Sequence, residues 1–216
     1  MSDDSAIGAT TAGHYGVAGP SLLSLREATI AAAWNLQGDA ANPVFNEHVL
    51  QVSGISLPTG PNTISATNDV SVFWLGPATW LLVAGSPVQP GHPLSEFSTR
   101  RETVNAAGGA LFDLSASRVA WNLAGPRAAA VLASACPLDF HARAFPLGSC
   151  AQSLFGHVNA LYVRHAADAF TIFVARSFAR DVWASLCSAG AQYGYEVSAP
   201  LPYRQQPVGL GERRFR

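Results

Sequence analysis

Apolar and polar positions alternate along this chain in short runs, and turn residues punctuate them at regular intervals. Ile30 to Gln37 predicts a strand that ends at Gly38. Asn42-Pro43 then marks a helix start, with asparagine as N-cap and proline at the first helical position, and the helix through Phe45, Val49 and Val52 stops at Gly54. The segments Asn62 to Ala66 and Val70 to Leu75 flank Asn68-Asp69, a hairpin signal. Trp80 to Ala84 predicts a further strand, closed by Gly85. Leu94, Phe97, Arg101, Val104 and Ala107 recur at helical spacing before Gly108-Gly109.

The same order follows a second time. Arg118 to Leu123 predicts a strand before Gly125, and Pro126 opens a short helix through Val131 and Leu132. Cys150 to Phe155 and Val158 to His165 flank Gly156-His157 as a second hairpin. Phe170 to Val174 is a strand, and Ser177 is the expected cap of a helix carrying Phe178, Val182, Trp183 and Leu186. Residues agree as well as elements. Trp34-Asn35-Leu36-Gln37-Gly38 recurs as Trp121-Asn122-Leu123-Ala124-Gly125, 87 residues on, and Trp80-Leu81-Leu82-Val83-Ala84 aligns with Thr171-Ile172-Phe173-Val174-Ala175, about 91 residues on. The pattern reads as an α+β duplication of strand, helix, hairpin, strand and helix, two units sharing a sheet platform with helices on one face. The boundaries expected are a flexible N-terminal arm at 1–20, a first half at 21–109, a second half at 110–196 and a C-terminal arm at 197–216, the arms inferred from Ser/Ala/Thr/Gly and Pro/Gly/Arg content.

Composition narrows the function. Hydrophobic residues make up 49% of the chain and charged residues only 12%, against roughly a quarter charged in average soluble proteins. A surface so short of charge suits a chain covered by partner subunits. Net charge is −1 and the one basic cluster is Arg213-Arg214-Phe215-Arg216, so a phosphate-neutralising nucleic-acid footprint is missing. All 13 basic residues are arginine; without lysine there is no Schiff base, lysine general base or P-loop lysine. Cys136, Cys150 and Cys187 form no C-x-x-C pair and read as reduced thiols. The acidic Met1-Ser2-Asp3-Asp4 start lacks signal-peptide features and no apolar run reaches the length of a membrane span, so the expected location is cytoplasmic.

Candidate chemistry is sparse. Cys136, Asp139, His141 and Cys150 form the densest group of metal-ligand types, yet their spacing matches no zinc pattern. A Cys-His hydrolase could pair Cys136 or Cys150 with His157 or His165, but no residue context marks a general base; His157 reads as a turn residue and His165 as an exposed strand end near Asp168. Gly209-Leu210-Gly211 lacks the third glycine of a dinucleotide fingerprint, and Gly108-Gly109 precedes a strand instead of following one. Trp74 and Trp80 could stack a planar ligand, although two core-facing tryptophans at a strand corner explain them better. Asp139 is expected to orient backbone amides in a turn, and Asp113 is an isolated acid beside a strand. No catalytic, cofactor-binding or metal-binding residue is therefore assigned to this chain.

The segment Asp113-Leu114-Ser115-x-x-Arg118, followed by Leu123-x-Gly125-Pro126-Arg127-Ala128-x-x-Val131-Leu132-Ala133-x-x-Cys136-Pro137-Leu138-Asp139, resembles the gamma subunits of heterotetrameric sarcosine oxidases. The likeness continues through Phe145-Pro146-x-Gly148-x-Cys150-Ala151 and Val174-Ala175-Arg176-Ser177-Phe178-Ala179, with Trp74-Leu75-Gly76-Pro77-x-x-Trp80-Leu81-Leu82 upstream. It spans roughly residues 20 to 195. The resemblance implies a fold related to the folate-binding T-protein of glycine cleavage. It also implies alpha, beta and delta partner subunits that carry NAD and a folate domain, FAD and covalent FMN, and zinc. Together they oxidise the N-methyl group of sarcosine and pass the one-carbon unit to tetrahydrofolate. The gamma subunit carries no assigned catalytic residue in that family, which implies a structural, assembly role here. Where the family usually has an acidic pair, this chain has Ala78-Thr79, which leaves the amine open among sarcosine and related N-methyl amino acids. A stand-alone folate-binding protein of the T-protein type is the alternative.

Overall fold

A computed structural model describes residues 11–87, 95 and 97–204. Twelve strands and four helices are found among them. The first unit runs β3 (Ala32–Gln37), α1 (Pro43–Ser53), β4 (Ile64–Ala66), β5 (Ser71–Gly76), β6 (Thr79–Ala84), α2 (Phe97–Ala106) and β7 (Ala110–Asp113). The second runs β8 (Arg118–Ala124), α3 (Ala128–Ala133), β9 (Cys150–Phe155), β10 (Val158–Ala166), β11 (Ala169–Ala175), α4 (Ala179–Ala191) and β12 (Tyr195–Pro202). Two strands, β1 (Gly13–Tyr15) and β2 (Leu23–Thr29), precede both.

Topology repeats with the sequence. One sheet has the order β4-β5-β6-β3-β7 and the other β9-β10-β11-β8-β2-β12-β1, so the second unit reproduces the first with β2 inserted between β8 and β12. The ladders also fix the alignment of the halves. Trp34 faces Leu82 and Trp121 faces Ile172, so Leu82 corresponds to Ile172, one position earlier than the alignment read from residue identity. That single step matters because it moves every side chain of a strand to the opposite face. With the ladder register, Trp80 and Phe170 both point to their helices, and Val83 and Phe173 both point between the sheets.

The halves do not merge into one sheet. The platform is two sheets stacked face to face, each with its helices on its outer face. Phe45, Val49, Trp80 and Leu82 fill the layer under α1 and α2, and Trp121, Leu132, Phe170, Val182 and Leu186 the layer under α3 and α4. Between the sheets lie Ala33 and Ala120, which are ladder equivalents and fully buried, with Phe73, Leu81, Val83, Leu161, Val163 and Phe173 around them. Alanines at the centre let the two backbones approach, while the larger residues seal the margins. Each fully buried Trp or Phe contributes roughly 1.5–3 kcal/mol.

Local signals act as the sequence predicts in α1. Asn42 Oδ1 accepts from the amides of Val44 and Phe45, and Gly54 closes the helix in the left-handed region at φ 69°. The second long helix starts differently. A 3-10 turn at Arg176–Phe178 leads into α4, whose cap position is Phe178 with no side-chain hydrogen bond, so Ser177 is not the cap. The expected arms also carry order at their inner ends. Gly13–Tyr15 pairs with β12, and β12 continues through Pro202 beside β2. Pro200 and Pro202 do not end that strand because Ser198 to Leu201 form an irregular step in the pairing. Strand β2 falls in the expected first half yet sits in the second sheet, where it ties the halves together. Arg26-Glu27 obscures its alternation in the sequence.

Candidate functional site

The residues singled out for chemistry are dispersed by the fold. Cys136 lies under the helices of the second half, where its sulfur accepts the Leu138 amide at 3.4 Å. Cys150 lies on the opposite face of that sheet, between the two sheets, with its sulfur against the carbonyls of Thr63 and Trp74. Desolvation pushes the Cys150 thiol up to about 12, so it is held as an uncharged thiol. Asp139 accepts the His141 amide at 2.8 Å, the turn role expected of it, and exposed His141 accepts the Arg143 amide. No group of three metal-ligating side chains occurs among the described residues. Asp113 accepts the Ser115 amide and hydroxyl at 2.8 and 2.6 Å where the chain enters the following 3-10 turn. Gly209-Leu210-Gly211 and Arg213–Arg216 lie outside the described residues.

Neither histidine meets a cysteine. His157 is exposed in the β9–β10 turn, edge-on to Phe178. His165 is not the exposed strand end expected; the ring of Tyr203, arriving from beyond β12, packs 6.0 Å from it. Its Nε2 lies 2.6 Å from Thr171 Oγ1, and the Thr171 hydroxyl donates to Asn122 Oδ1 at 2.6 Å. With that hydroxyl committed as donor, His165 Nε2 carries the proton. Burial pulls the imidazole pKa down to about 4 and keeps the ring neutral. Trp74 and Trp80 face each other across β5 and β6. Trp80 is fully buried, with its indole N–H on the Pro58 carbonyl at 2.8 Å, which makes it a core residue.

Arg164 holds the loop that carries much of the family-like sequence. Its guanidinium is buried and donates from Nη1 to the carbonyls of Phe140 and Phe145, both at 2.9 Å, and from Nε to Ala166 at 3.1 Å. Phe140 and Phe145 pack on Phe170 beneath it. Desolvation lowers the Arg164 pKa and Asp168 opposes that shift.

An open groove of about 710 Å³ lies at one end of the interface between the sheets. Its floor is Leu81, Leu161 and Phe173, and Leu75 is held in its wall by Gln152 Nε2 donating to the Leu75 carbonyl at 2.7 Å. Leu154 and Phe178 form an apolar rim, 43% and 37% exposed. Arg118 stands in the wall half-buried, its pKa lowered by desolvation, and it makes no side-chain hydrogen bond among the described residues. Sequence reading assigned none of these residues. The signal available was Leu154 and Phe178, apolar side chains at positions that face outward from their elements.

Comparison with known proteins places this architecture. The model of the "Sarcosine oxidase, gamma subunit family" matches residues 37–192. The chain belongs to the sarcosine oxidase gamma subunit family. Among its relatives, the sarcosine oxidase subunit gamma of Corynebacterium sp. (strain U-96) is 28% identical over 165 residues, covering 75% of this chain and 76% of that protein. The Arthrobacter sp. subunit gamma is 33% identical over 115 residues, 51% of this chain and 52% of that one. A chain of the heterotetrameric sarcosine oxidase from Corynebacterium sp. U-96, solved with pyrrole 2-carboxylate, superposes with a TM-score of 0.71 at 26% identity, over 82% of this chain and 88% of that chain. The aminomethyltransferase T of the glycine cleavage system from Bartonella henselae superposes with a TM-score of 0.52 at 17% identity, over 83% of this chain and 48% of that one. That second likeness is one of fold, and it agrees with the T-protein-like duplication expected for the gamma subunit family. No helix among the described residues is long and apolar enough to cross a membrane.

Proposed function

We propose that this chain is the non-catalytic gamma subunit of a heterotetrameric sarcosine oxidase-type complex, and that it serves assembly and support of the alpha subunit. The complex oxidatively demethylates sarcosine or a related N-methyl amino acid and transfers the one-carbon unit to tetrahydrofolate. FAD, FMN, NAD and zinc belong to the alpha, beta and delta partners, and this chain supplies packing surface. The observation that carries the reading is the superposition, over most of both chains, on a chain of a heterotetrameric sarcosine oxidase. The charge-poor composition supports it independently, because a chain with only 12% charged residues has few charges to desolvate when a partner covers it.

Co-expression with the chains encoded by neighbouring genes tests the proposal. The expected result is one co-purifying assembly with flavin absorbance, whose demethylase activity and yield fall when this chain is left out. A lone chain that stays monomeric beside those partners refutes it. Tetrahydrofolate titration of the isolated chain, followed by tryptophan fluorescence, is expected to give no quenching up to high micromolar concentration. Saturable quenching would favour the stand-alone folate-binding reading instead.

A further inference from the structure

The two halves of the duplication treat one equivalent place differently. The ladder pairs Ser71 with Val83 in the first half and Leu161 with Phe173 in the second, so Ser71 and Leu161 are equivalents, as are Val83 and Phe173. Two positions further along β6 and β11, Gly85 corresponds to Ala175. Leu161, Phe173 and Ala175 line the open groove. Their counterparts surround a niche that is filled. Tyr203 enters it from the end of β12, with its amide on the Thr29 carbonyl at 2.9 Å and its ring 5.0 Å from Phe173 and 6.2 Å from Phe73. Ser71 reaches the Tyr203 hydroxyl. Glycine at 85 is required there, since a Cβ would overlap the Tyr203 backbone. The ring is 3% exposed.

Among the described residues, the first half supplies no such plug for the groove. The residue after β7, equivalent in chain order to Tyr203, is Leu114, whose amide bonds the Ala33 carbonyl and whose side chain packs among the residues between the sheets. The chain then turns through Ser115–Ser117 straight into β8, so no arm is free to run on as residues 200–204 do. What remains is an open groove with Leu161 and Phe173 on its floor, Gln152, Ser153 and Asn159 in its walls and exposed Leu154 and Phe178 at its rim, beside Arg118, whose guanidinium makes no side-chain hydrogen bond among the described residues.

We infer that this groove is the docking site for an extended segment of a partner subunit, which inserts an aromatic ring in trans where Tyr203 is inserted in cis and sets a carboxylate against Arg118. The inference rests on the subunit reading above. The need for a ring and a carboxylate together selects a partner over this chain's own ends. The 205–216 segment offers Phe215 but carries Arg213, Arg214 and Arg216, the same sign as Arg118, and the 1–10 segment carries Asp3 and Asp4 but no ring to go with them.

The test uses the co-expressed complex with three variants. Ala175→Trp fills the groove, Arg118→Glu reverses its charge, and Leu147→Trp adds a ring on exposed surface elsewhere. Ala175→Trp and Arg118→Glu are each expected to weaken association more than about tenfold, the loss typical of a buried aromatic anchor or its paired charge, with thermal melts of the isolated chains unchanged. Leu147→Trp is expected to assemble normally. Amide exchange is expected to slow at residues 153–159 on assembly. If the wild-type chain assembles and both groove variants assemble equally well, the inference is overturned and the subunit reading stands. If the wild-type chain finds no partner, the subunit reading itself fails. Should Ala175→Trp misfold, Arg118→Glu and the exchange footprint decide. Protection of the groove in the isolated chain that vanishes on removing residues 1–10 or 205–216 would also overturn it.

Discussion

Replacing Arg164 with methionine isolates the role of one buried cation. The methionine stem keeps the apolar packing on Phe170, over whose ring the guanidinium sits at 5.3 Å, and removes every donor. Two carbonyls, those of Phe140 and Phe145, then lose their partner, and both residues are buried, at 5% and 2% exposure. An unsatisfied buried acceptor costs about 1–3 kcal/mol, and the lost cation–π contact adds about 0.5–2 kcal/mol. Against this, removing a desolvated charge returns several kcal/mol. The carbonyls of Ala166 and Ala167, which Arg164 also holds from Nε and Nη2, belong to residues nearer solvent and recover water. Setting about 3 kcal/mol returned against about 5 kcal/mol lost leaves a net loss of about 2 kcal/mol, or about 4–8 °C in Tm for a chain of this size. Arg164→Lys is expected to lose nearly as much, because an ammonium cannot reproduce the planar fork. Urea unfolding followed by tryptophan fluorescence, with a thermal melt beside it, gives the number. If Arg164→Met is as stable as wild type within about 0.5 kcal/mol, the loop is held by the aromatic cluster alone and the reasoning is wrong.

Three further outcomes are expected. An aromatic disulfide reagent at pH 8 should leave Cys150 unmodified in the folded chain and label all three cysteines in urea, since burial holds the Cys150 thiol at about 12; fast native labelling of Cys150, located by mass spectrometry, contradicts this. His165 has its folded pKa lowered to about 4 from 6.5, so the unfolded chain binds the extra proton between those values. Its contribution is complete above pH 6.5 and is lost as pH falls toward 4, about 3 kcal/mol for a shift of this size. His165→Gln should flatten the dependence of Tm on pH between 6.5 and 5, and an unchanged slope would refute the assignment. Gly85→Ala should displace Tyr203 and cost about 2–4 kcal/mol, with faster amide exchange confined at first to residues 195–203; a neutral substitution would show that the close approach is not needed.

The sequence by itself determined the elements and their repetition. Asn42-Pro43 and Gly54 bound α1 because capping is a local matter of backbone donors and side-chain oxygens. Asn68-Asp69 and Gly156-His157 mark their hairpins for similarly local reasons, and the recurring tryptophan motif disclosed the duplication that the ladders repeat. The segments that carry the family likeness were legible too, and in the fold they build the loop that Arg164 holds and the strands beside it. Tertiary structure alone decided the rest. Which face of β6 matches which face of β11 depends on a one-residue register that only pairing fixes. Residues 23–29 and 195–202 became strands because each supplies the other's hydrogen bonds across more than 160 residues, a partnership no local pattern encodes. The groove is invisible in the sequence for the same reason. Leu161 and Ser71, or Ala175 and Gly85, are unremarked singly; only stacked sheets bring them to equivalent ends of one interface, where Tyr203 closes one end and leaves the other open.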